Sequence, residues 1–149
     1  MNKDEHWMKI AIQEANLAMN ENEIPVGAVI VQNDKLIAQA HNQSIKNNDP
    51  TAHAEIQVIR KAGIELNNYR LNGSTLYVTL EPCPMCYSAL VHARIKKIIF
   101  GAPDPKTGAC GSCENFSNLN CFNHNIIISS NILGEDCSKL LKSFFKSKR

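Results

Sequence analysis

The sequence lacks both a long apolar run and a leader of the secretory kind. No segment of the 149 residues approaches the roughly 20 apolar residues that a membrane-spanning helix requires. The first ten residues carry Lys3, Asp4, Glu5 and His6 before any apolar stretch, unlike the basic start and apolar run of a signal peptide. We therefore expect a cytoplasmic protein with no membrane partner.

The sequence also lacks internal repeats, linkers and low-complexity segments. With 149 residues, 44% of them hydrophobic and 20% charged, it suits a single domain covering residues 1–149. A core of this size does not depend on disulfides. In a reducing compartment, the closely spaced members of the six cysteines are more typical of metal binding or catalysis.

Net charge is low, at +2, but the positive charge is concentrated at the C-terminus. The last eleven residues contain five basic side chains and no acid: Lys139, Lys142, Lys146, Lys148 and Arg149. Such an end can contact phosphate, or it can be a solvated helix face with a frayed tail. Charge alone leaves both interpretations open.

Periodicity and turn residues predict an alternation of helices and strands. Helices are expected over 4–20, from a cap at Thr51 to Leu66, and over 83–93 and 135–145. Strands are expected over 26–31, 36–40, 75–80, 97–100 (stopped by Gly101) and 126–129, with 101–124 as loop or short helix. An opening hairpin followed by strand–helix–strand units predicts an α/β fold, a mixed sheet with helices on both faces.

Two short motifs carry the chemistry. His53-Ala54-Glu55 is followed, 27 residues on, by Pro82-Cys83-Pro84-Met85-Cys86. Each motif lies where a loop or strand gives way to a helix. Either motif alone is weak evidence, but together they are a strong signal of a metal site.

One histidine and two cysteines suit catalytic zinc, which takes three protein ligands in a tetrahedron and leaves the fourth position to water. We expect His53, Cys83 and Cys86 to bind one Zn²⁺ per chain. Glu55 lies two residues after His53, so in the open first turn it can reach the zinc-bound water as a proton shuttle rather than as a ligand. This combination predicts hydrolytic removal of an exocyclic amine from a nucleobase.

A different ligand set would make the protein a structural zinc module. Cys110-Gly-Ser-Cys113 is a second Cys-x-x-Cys pair, and 23 residues separate it from Cys86, beyond the roughly 15 to 20 typical of four-cysteine sites. That arrangement would leave His53 and Glu55 without a role. We therefore predict that Cys110, Cys113, Cys121 and Cys137 are not ligands.

With these motifs in place, the sequence resembles the bacterial tRNA-specific adenosine deaminases, the TadA family, over nearly its whole length. The resemblance rests on Ile24-Pro25-Val26-Gly27-Ala28-Val29, Asp49-Pro50-Thr51-Ala52-His53-Ala54-Glu55, Asn68-Tyr69-Arg70-Leu71, Tyr77-Val78-Thr79-Leu80-Glu81-Pro82-Cys83, Gly101-Ala102-Pro103-Asp104, Lys106-Thr107-Gly108-Ala109, Asn123-His124 and Phe144-Phe145. It departs from the family in its short basic tail and its cysteine-rich 110–121 stretch.

The resemblance implies a three-layer α/β/α cytidine-deaminase-like fold with a five-stranded mixed sheet. It also implies a homodimer that converts the wobble adenosine of a tRNA anticodon stem-loop to inosine. Asn42 then looks like the residue that hydrogen-bonds the flipped purine. The other implied substrate contacts are Ala54, Asp104, Lys106, Asn123, Phe145, Lys148 and Arg149. Phe144 and Phe145 share an apolar stripe, so one of them is expected to pack inward and the other to stay near the surface.

The zinc motif alone does not identify the substrate. By resemblance it is shared with cytidine, cytosine and guanine deaminases and with a riboflavin-pathway deaminase. Deamination of a free nucleobase or nucleoside is therefore the alternative enzymatic function. An enzyme of that kind should enclose its ligand and needs no basic RNA surface.

Overall fold

The structure is a computed structural model that describes residues 2–148. Four α-helices are present: α1 (Lys3–Asn20), α2 (Ala54–Leu66), α3 (Pro84–His92) and α4 (Gly134–Ser147). The strands are β1 (Gly27–Gln32), β2 (Lys35–His41), β3 (Thr75–Leu80), β4 (Lys97–Ala102) and β5 (Ile127–Ser129), and a 3₁₀ turn spans Phe116–Asn118. Each predicted element is present, and its ends agree with the prediction to within two residues.

The five strands form one mixed sheet in the order β2-β1-β3-β4-β5. β1 pairs antiparallel with β2 and with β3. β3, β4 and β5 run parallel to one another. Parallel neighbours need a crossover, and α3 supplies the one between β3 and β4. The carboxyl end of β3 therefore leads directly into the second metal-binding motif.

Helices cover both faces of the sheet. On one face, residues of α2 and α3 such as Val58 and Leu90 pack with Ile30 and Val78 of the sheet. On the other, residues of α1 and α4 such as Met8 and Cys137 pack in a second, smaller cluster. The alternation of strand residues between these two clusters explains why the central strands are apolar throughout. This arrangement confirms the three-layer α/β/α fold.

Two local predictions were wrong. Gly101 does not stop β4, which continues to Ala102. The glycine is needed because α4 lies so close that an added Cβ would be 2.4 Å from the Cys137 Sγ. Thr51 does not cap α2, because its hydroxyl donates to Asp49 at 2.7 Å and His53 is the residue at the N-cap.

No helix within residues 2–148 is both long enough and apolar enough to cross a bilayer.

On α4, Phe144 is buried while Phe145 is 48% exposed. One phenylalanine of the pair thus packs inward, and its neighbour lies at the surface.

Candidate metal centre and active site

The predicted metal ligands lie at the starts of two neighbouring helices. His53 is the N-cap of α2, and Cys83 is the N-cap of α3, with Pro84 as its first helical residue. Neither N-cap side chain makes the capping hydrogen bond usual at that position. Cys86 is in the first turn of α3, three residues after Cys83, so the two sulfurs share one side of the helix. The sequence at each helix start therefore releases its side chain toward a common point.

The spacing of the three ligand atoms fits zinc. The Nδ1 of His53 lies 3.7 Å from the Sγ of Cys83 and 3.5 Å from the Sγ of Cys86. A nitrogen and a sulfur bound at their usual zinc distances, with a tetrahedral angle between them, would be about 3.6 Å apart. His53, Cys83 and Cys86 form the one group of three or more potential ligands found within residues 2–148. The donor set and its geometry thus fit one zinc ion per chain.

The two thiols differ in their readiness to ionise. Hydrogen bonds from Cys86 and then from His53 lower the pKa of the Cys83 thiol to about 4, against the effect of burial. The pKa of Cys86 is raised well above its usual range, first by its hydrogen bond with Cys83 and then by burial. Since zinc binds thiolates, metal binding at this centre must release a proton from Cys86.

Glu55 is a buried carboxyl beside the ligands. It is 4% exposed and lies in the first turn of α2, two residues beyond His53. Burial raises the pKa of Glu55 to about 7, because the charged carboxylate loses its hydration. Near neutral pH this group can therefore both accept and donate a proton, as a general acid–base residue must.

Asn42 and Ala54, the two predicted contacts to the flipped base, are both buried and engage their own chain. Asn42 is buried, and its amide oxygen accepts from the Ser44 hydroxyl at 2.9 Å. Its amide nitrogen donates to the Ile24 carbonyl at 3.4 Å, which is a long bond. Ala54 is the fully buried first residue of α2. In the absence of substrate, these two hydrogen bonds hold the Asn42 side chain in one orientation.

Three of the predicted substrate contacts line one cavity. Asp104, Lys106 and Phe145 border a cavity of about 570 Å³ together with Lys142 of α4. The Asp104 carboxylate is already occupied, since it accepts from the backbone N–H of Lys106 at 3.1 Å and from the Thr107 hydroxyl at 2.8 Å. Asp104 therefore shapes its own turn.

The remaining predicted contacts are separate from that cavity. Asn123 accepts a hydrogen bond from the Arg94 guanidinium at 3.3 Å and lines a different cavity at the end of α3. Lys148 donates to Asn22 at 3.2 Å and lies over the Phe144 ring. Arg149 is outside the described residues.

Sequence reasoning missed two buried carboxylates that hold the loops around the site. Glu81, between β3 and Cys83, is 2% exposed and accepts from the backbone N–H groups of Asp104 at 3.0 Å, Cys110 at 2.8 Å and Ser112 at 3.2 Å. It also accepts a short hydrogen bond from the Ser112 hydroxyl. Glu23 is 1% exposed and holds a second loop, accepting from the N–H groups of residues 45 and 46. For Glu81, the available signal was an acid placed directly between an apolar strand and a metal-binding motif.

The alternative four-cysteine site does not form. Cys110 and Cys113 are not part of the ligand group around Cys83 and Cys86. All six cysteines are free thiols. Burial raises the pKa of both Cys110 and Cys137 to about 12, so these two are protonated at neutral pH.

A histidine–cysteine–cysteine centre with a buried carboxyl, at helix starts against a five-stranded mixed sheet, defines a zinc-binding deaminase. In agreement, the family model for the cytidine and deoxycytidylate deaminase zinc-binding region matches residues 1–102. Among curated proteins, a tRNA-specific adenosine deaminase of Haemophilus influenzae is 48% identical over 98% of this chain and 85% of its own. The chain therefore belongs to the tRNA-specific adenosine deaminases, within the cytidine and deoxycytidylate deaminase family.

Two other relatives match over nearly the whole chain, and a third matches over about two thirds of it. A tRNA-specific adenosine deaminase of Bacillus subtilis is 46% identical over all of this chain and 92% of its own. A structure solved in a study of A-to-I editing by tRNA:A34 deaminases at the wobble position is similar with a TM-score of 0.89 and 42% identity, covering 91% of this chain and 99% of that one. A guanine deaminase structure from B. subtilis is 43% identical, with a TM-score of 0.65, over 69% of this chain and 66% of that one.

Proposed function

We propose that this protein deaminates the wobble adenosine of a tRNA anticodon loop to inosine. The observation that carries the proposal is the 48% identity to a tRNA-specific adenosine deaminase over 98% of this chain. The match spans 147 residues and so extends well past the metal-binding motifs. A basic helix at the C-terminus adds support, because phosphate contacts orient an RNA while the pocket selects the base.

In the proposed mechanism, His53, Cys83 and Cys86 hold the zinc and Glu55 moves the protons. Bound zinc supplies a Lewis acid that brings the pKa of a water toward about 7. Glu55 accepts a proton from the attacking water as oxygen adds to C6 of the purine. Glu55 passes that proton to the ring nitrogen, then takes the remaining proton of the new C6 hydroxyl and delivers it to the departing amine, so adenosine and water become inosine and ammonia. The burial of Glu55 keeps its pKa near 7, within reach of both roles.

Substrate recognition is assigned to the residues around this centre. Asn42 and Ala54 would meet the flipped base, since unpaired loop bases are extruded at low cost. Asp104, Lys106, Asn123 and Phe145 would contact neighbouring nucleotides, and Lys148 and Arg149 would contact phosphates. To recognise the purine, the Asn42 amide must give up its hydrogen bond with the Ser44 hydroxyl and form one with the edge of the base.

The proposal is tested by incubating the zinc-loaded protein with an anticodon stem-loop that carries a wobble adenosine. Parallel reactions contain free adenosine, guanine and cytidine. We expect inosine to form in the RNA alone. Deamination of a free base with an unchanged RNA would contradict the assignment. That result would support the guanine-deaminase alternative, which the 43% identity to the B. subtilis enzyme favours as the second candidate.

The role of Glu55 is tested with Glu55→Gln, which keeps the shape of the side chain and removes its proton chemistry. We expect the rate to fall by about 10²- to 10⁴-fold, the usual contribution of a general acid–base group. Zinc content should stay at one per chain, because Glu55 is not a ligand. Glu65→Gln, on the exposed end of α2, is the control and should retain full activity. A Glu55→Gln enzyme with full activity would contradict the mechanism.

We further propose that the protein is a homodimer. The outer surface of α2 and α3 leaves Ile56, Ile59 and Met85 partly exposed and Ile64 83% exposed. Sedimentation at several protein concentrations should give a dimer mass, and Ile64→Asp should shift the protein toward monomer. A monomer at every concentration would overturn this proposal.

We assign the whole chain to one deaminase domain that acts on tRNA in the cytoplasm.

A further inference from the structure

We propose that a cavity at the far end of α3 binds a backbone phosphate of the RNA, at a nucleotide other than the one that is deaminated. The proposal rests on the proposed function for the identity of the ligand. The cavity has a volume of about 420 Å³ and is bordered by Tyr69, Arg70, His92, Arg94, Phe122 and Asn123. None of these residues takes part in the metal centre.

The cavity is positively charged and carries no compensating acid. Arg70, His92 and Arg94 border it, and no carboxylate of residues 2–148 lines it. Among the ion pairs formed within residues 2–148, none involves Arg70 or Arg94. The Arg94 guanidinium donates to the neutral Asn123 amide oxygen at 3.3 Å, its one hydrogen bond to a side chain within residues 2–148. Two guanidinium groups thus keep donors available for an anion, and arginine is well suited to phosphate.

Arg94 adopts a backbone conformation that normally favours glycine. α3 ends in a paired turn in which the N–H of Ile95 bonds to the Leu90 carbonyl and the N–H of Arg94 to the Val91 carbonyl. This is the Schellman pattern, and its left-handed position is normally glycine. Arg94 occupies that position with φ +63°. Side chains other than glycine are strained there, and such strain is often kept at functional sites.

An exposed aromatic ring beside the arginines favours RNA over a free phosphate. The Arg70 guanidinium lies 5.4 Å from the centre of the Tyr69 ring, and the Tyr69 side chain is 74% exposed. A positive groove with an aromatic platform is the usual way to bind a single strand, since the ring stacks on a base next to the bound phosphate. Inorganic phosphate would use the arginines but not the ring.

The cavity and the metal centre are at opposite ends of α3. The helix has nine residues and is therefore about 14 Å long. The nucleotide at the metal centre cannot reach that far with its own phosphate. A stem-loop is large enough to contact both ends of α3. The cavity would therefore hold RNA outside the target nucleotide and would contribute to binding rather than to chemistry.

The experiment compares the zinc-loaded wild-type protein with Arg94→Gly, Arg70→Gln and, as a charge-matched control, Lys35→Gln. Lys35 is an exposed cation at the start of the edge strand β2. Affinity for the labelled anticodon stem-loop is measured by fluorescence anisotropy at several salt concentrations, together with kcat, KM and the unfolding temperature. Inorganic phosphate and adenosine 5′-monophosphate are titrated as competitors.

We expect each arginine variant to bind the RNA about tenfold more weakly. The slope of log affinity against log salt should become less steep by about 0.7 to 0.9. KM should rise in proportion while kcat stays unchanged. Arg94→Gly should unfold at the same or a higher temperature, because glycine accepts φ +63° without strain. That combination separates loss of a ligand contact from loss of structure.

Unchanged affinity in both arginine variants, or an equal loss in Lys35→Gln, would overturn the proposal. The proposal would also be overturned if phosphate or the mononucleotide bound through the two arginines while RNA affinity did not depend on them. The ligand of the cavity would then be a free phosphate. If the wild-type protein binds the stem-loop without deaminating it, the proposed function fails. Whether stem-loop affinity depends on the two arginines would still test the role of the cavity independently.

Discussion

Replacing Glu81 with glutamine should loosen the 104–112 loop without disturbing the metal. The two Glu81 oxygens have different partners. Oε1 accepts from the Asp104 N–H and the Ser112 hydroxyl. Oε2 accepts from the N–H groups of Cys110 and Ser112. A glutamine can place its oxygen at only one of these positions. The amide nitrogen at the other position is a donor and cannot accept a hydrogen bond from a backbone N–H.

The magnitude follows from counting donors. With the amide oxygen at the Oε2 position, two backbone bonds survive as neutral bonds and the Ser112 hydroxyl can reverse to accept. The Asp104 N–H is then left without a partner, which costs about 1 to 3 kcal/mol. Each surviving bond weakens by about 1 kcal/mol because its acceptor is no longer charged. We therefore expect Glu81→Gln to cost about 3 to 5 kcal/mol.

Hydrogen exchange is the direct assay, because it reports the amides of Asp104, Cys110 and Ser112 one by one. Their protection should fall in Glu81→Gln while amides in β3 stay protected. The KM for the stem-loop should rise more than kcat falls, since the loop carries Lys106. Glu23→Gln is the matched control, because that carboxylate holds the other loop and should leave the 104–112 amides unchanged.

Unaltered exchange of these three amides, with a free energy of unfolding within about 0.5 kcal/mol of wild type, would refute the reasoning. It would mean that the loop keeps its conformation by packing alone. Loss of zinc in Glu81→Gln would contradict the claim that the carboxylate acts on the loop rather than on Cys83.

Three further results are expected. Cys86→Ser should reduce bound zinc to near zero by elemental analysis, whereas Cys121→Ser should retain one per chain; equal retention would exclude Cys86 as a ligand. Gly101→Ala should destabilise the protein by about 1 to 3 kcal/mol in urea unfolding, and adding Cys137→Ala should recover part of that loss; no recovery would place the clash elsewhere. Tyr77→Phe removes a 2.8 Å hydrogen bond to an aspartate of α1 and should cost about 1 kcal/mol in urea unfolding; unchanged stability would mean that water replaces the bond.

The metal centre was predictable because its geometry is local. His53 and Cys83 are at helix starts, and Cys86 follows Cys83 by one turn, so the spacing in the chain determines which way the side chains point. The order of strands and helices was predictable for a similar reason, since periodicity reports which face of each element is buried.

Other features depend on neighbours that are distant in the chain. Gly101 was expected to end a strand, but its role is to admit the Cys137 side chain of α4. Glu81 gave no periodic signal, because its partners come from a loop more than twenty residues later. The charged cavity at the end of α3 likewise combines three separate segments, and no single motif describes it.

The placement of the ligands at two N-caps also bears on how the protein is held together. His53 and Cys83 are 30 residues apart, and the chain between them contains all of α2 and β3. A metal that joins them closes this loop as a cross-link does, and a closed loop of that length lowers the entropy of the unfolded chain by an amount worth about 3 to 4 kcal/mol. The ion would then hold the starts of two helices together at the carboxyl end of the central strand β3, and its loss would release their first turns before the core is disturbed.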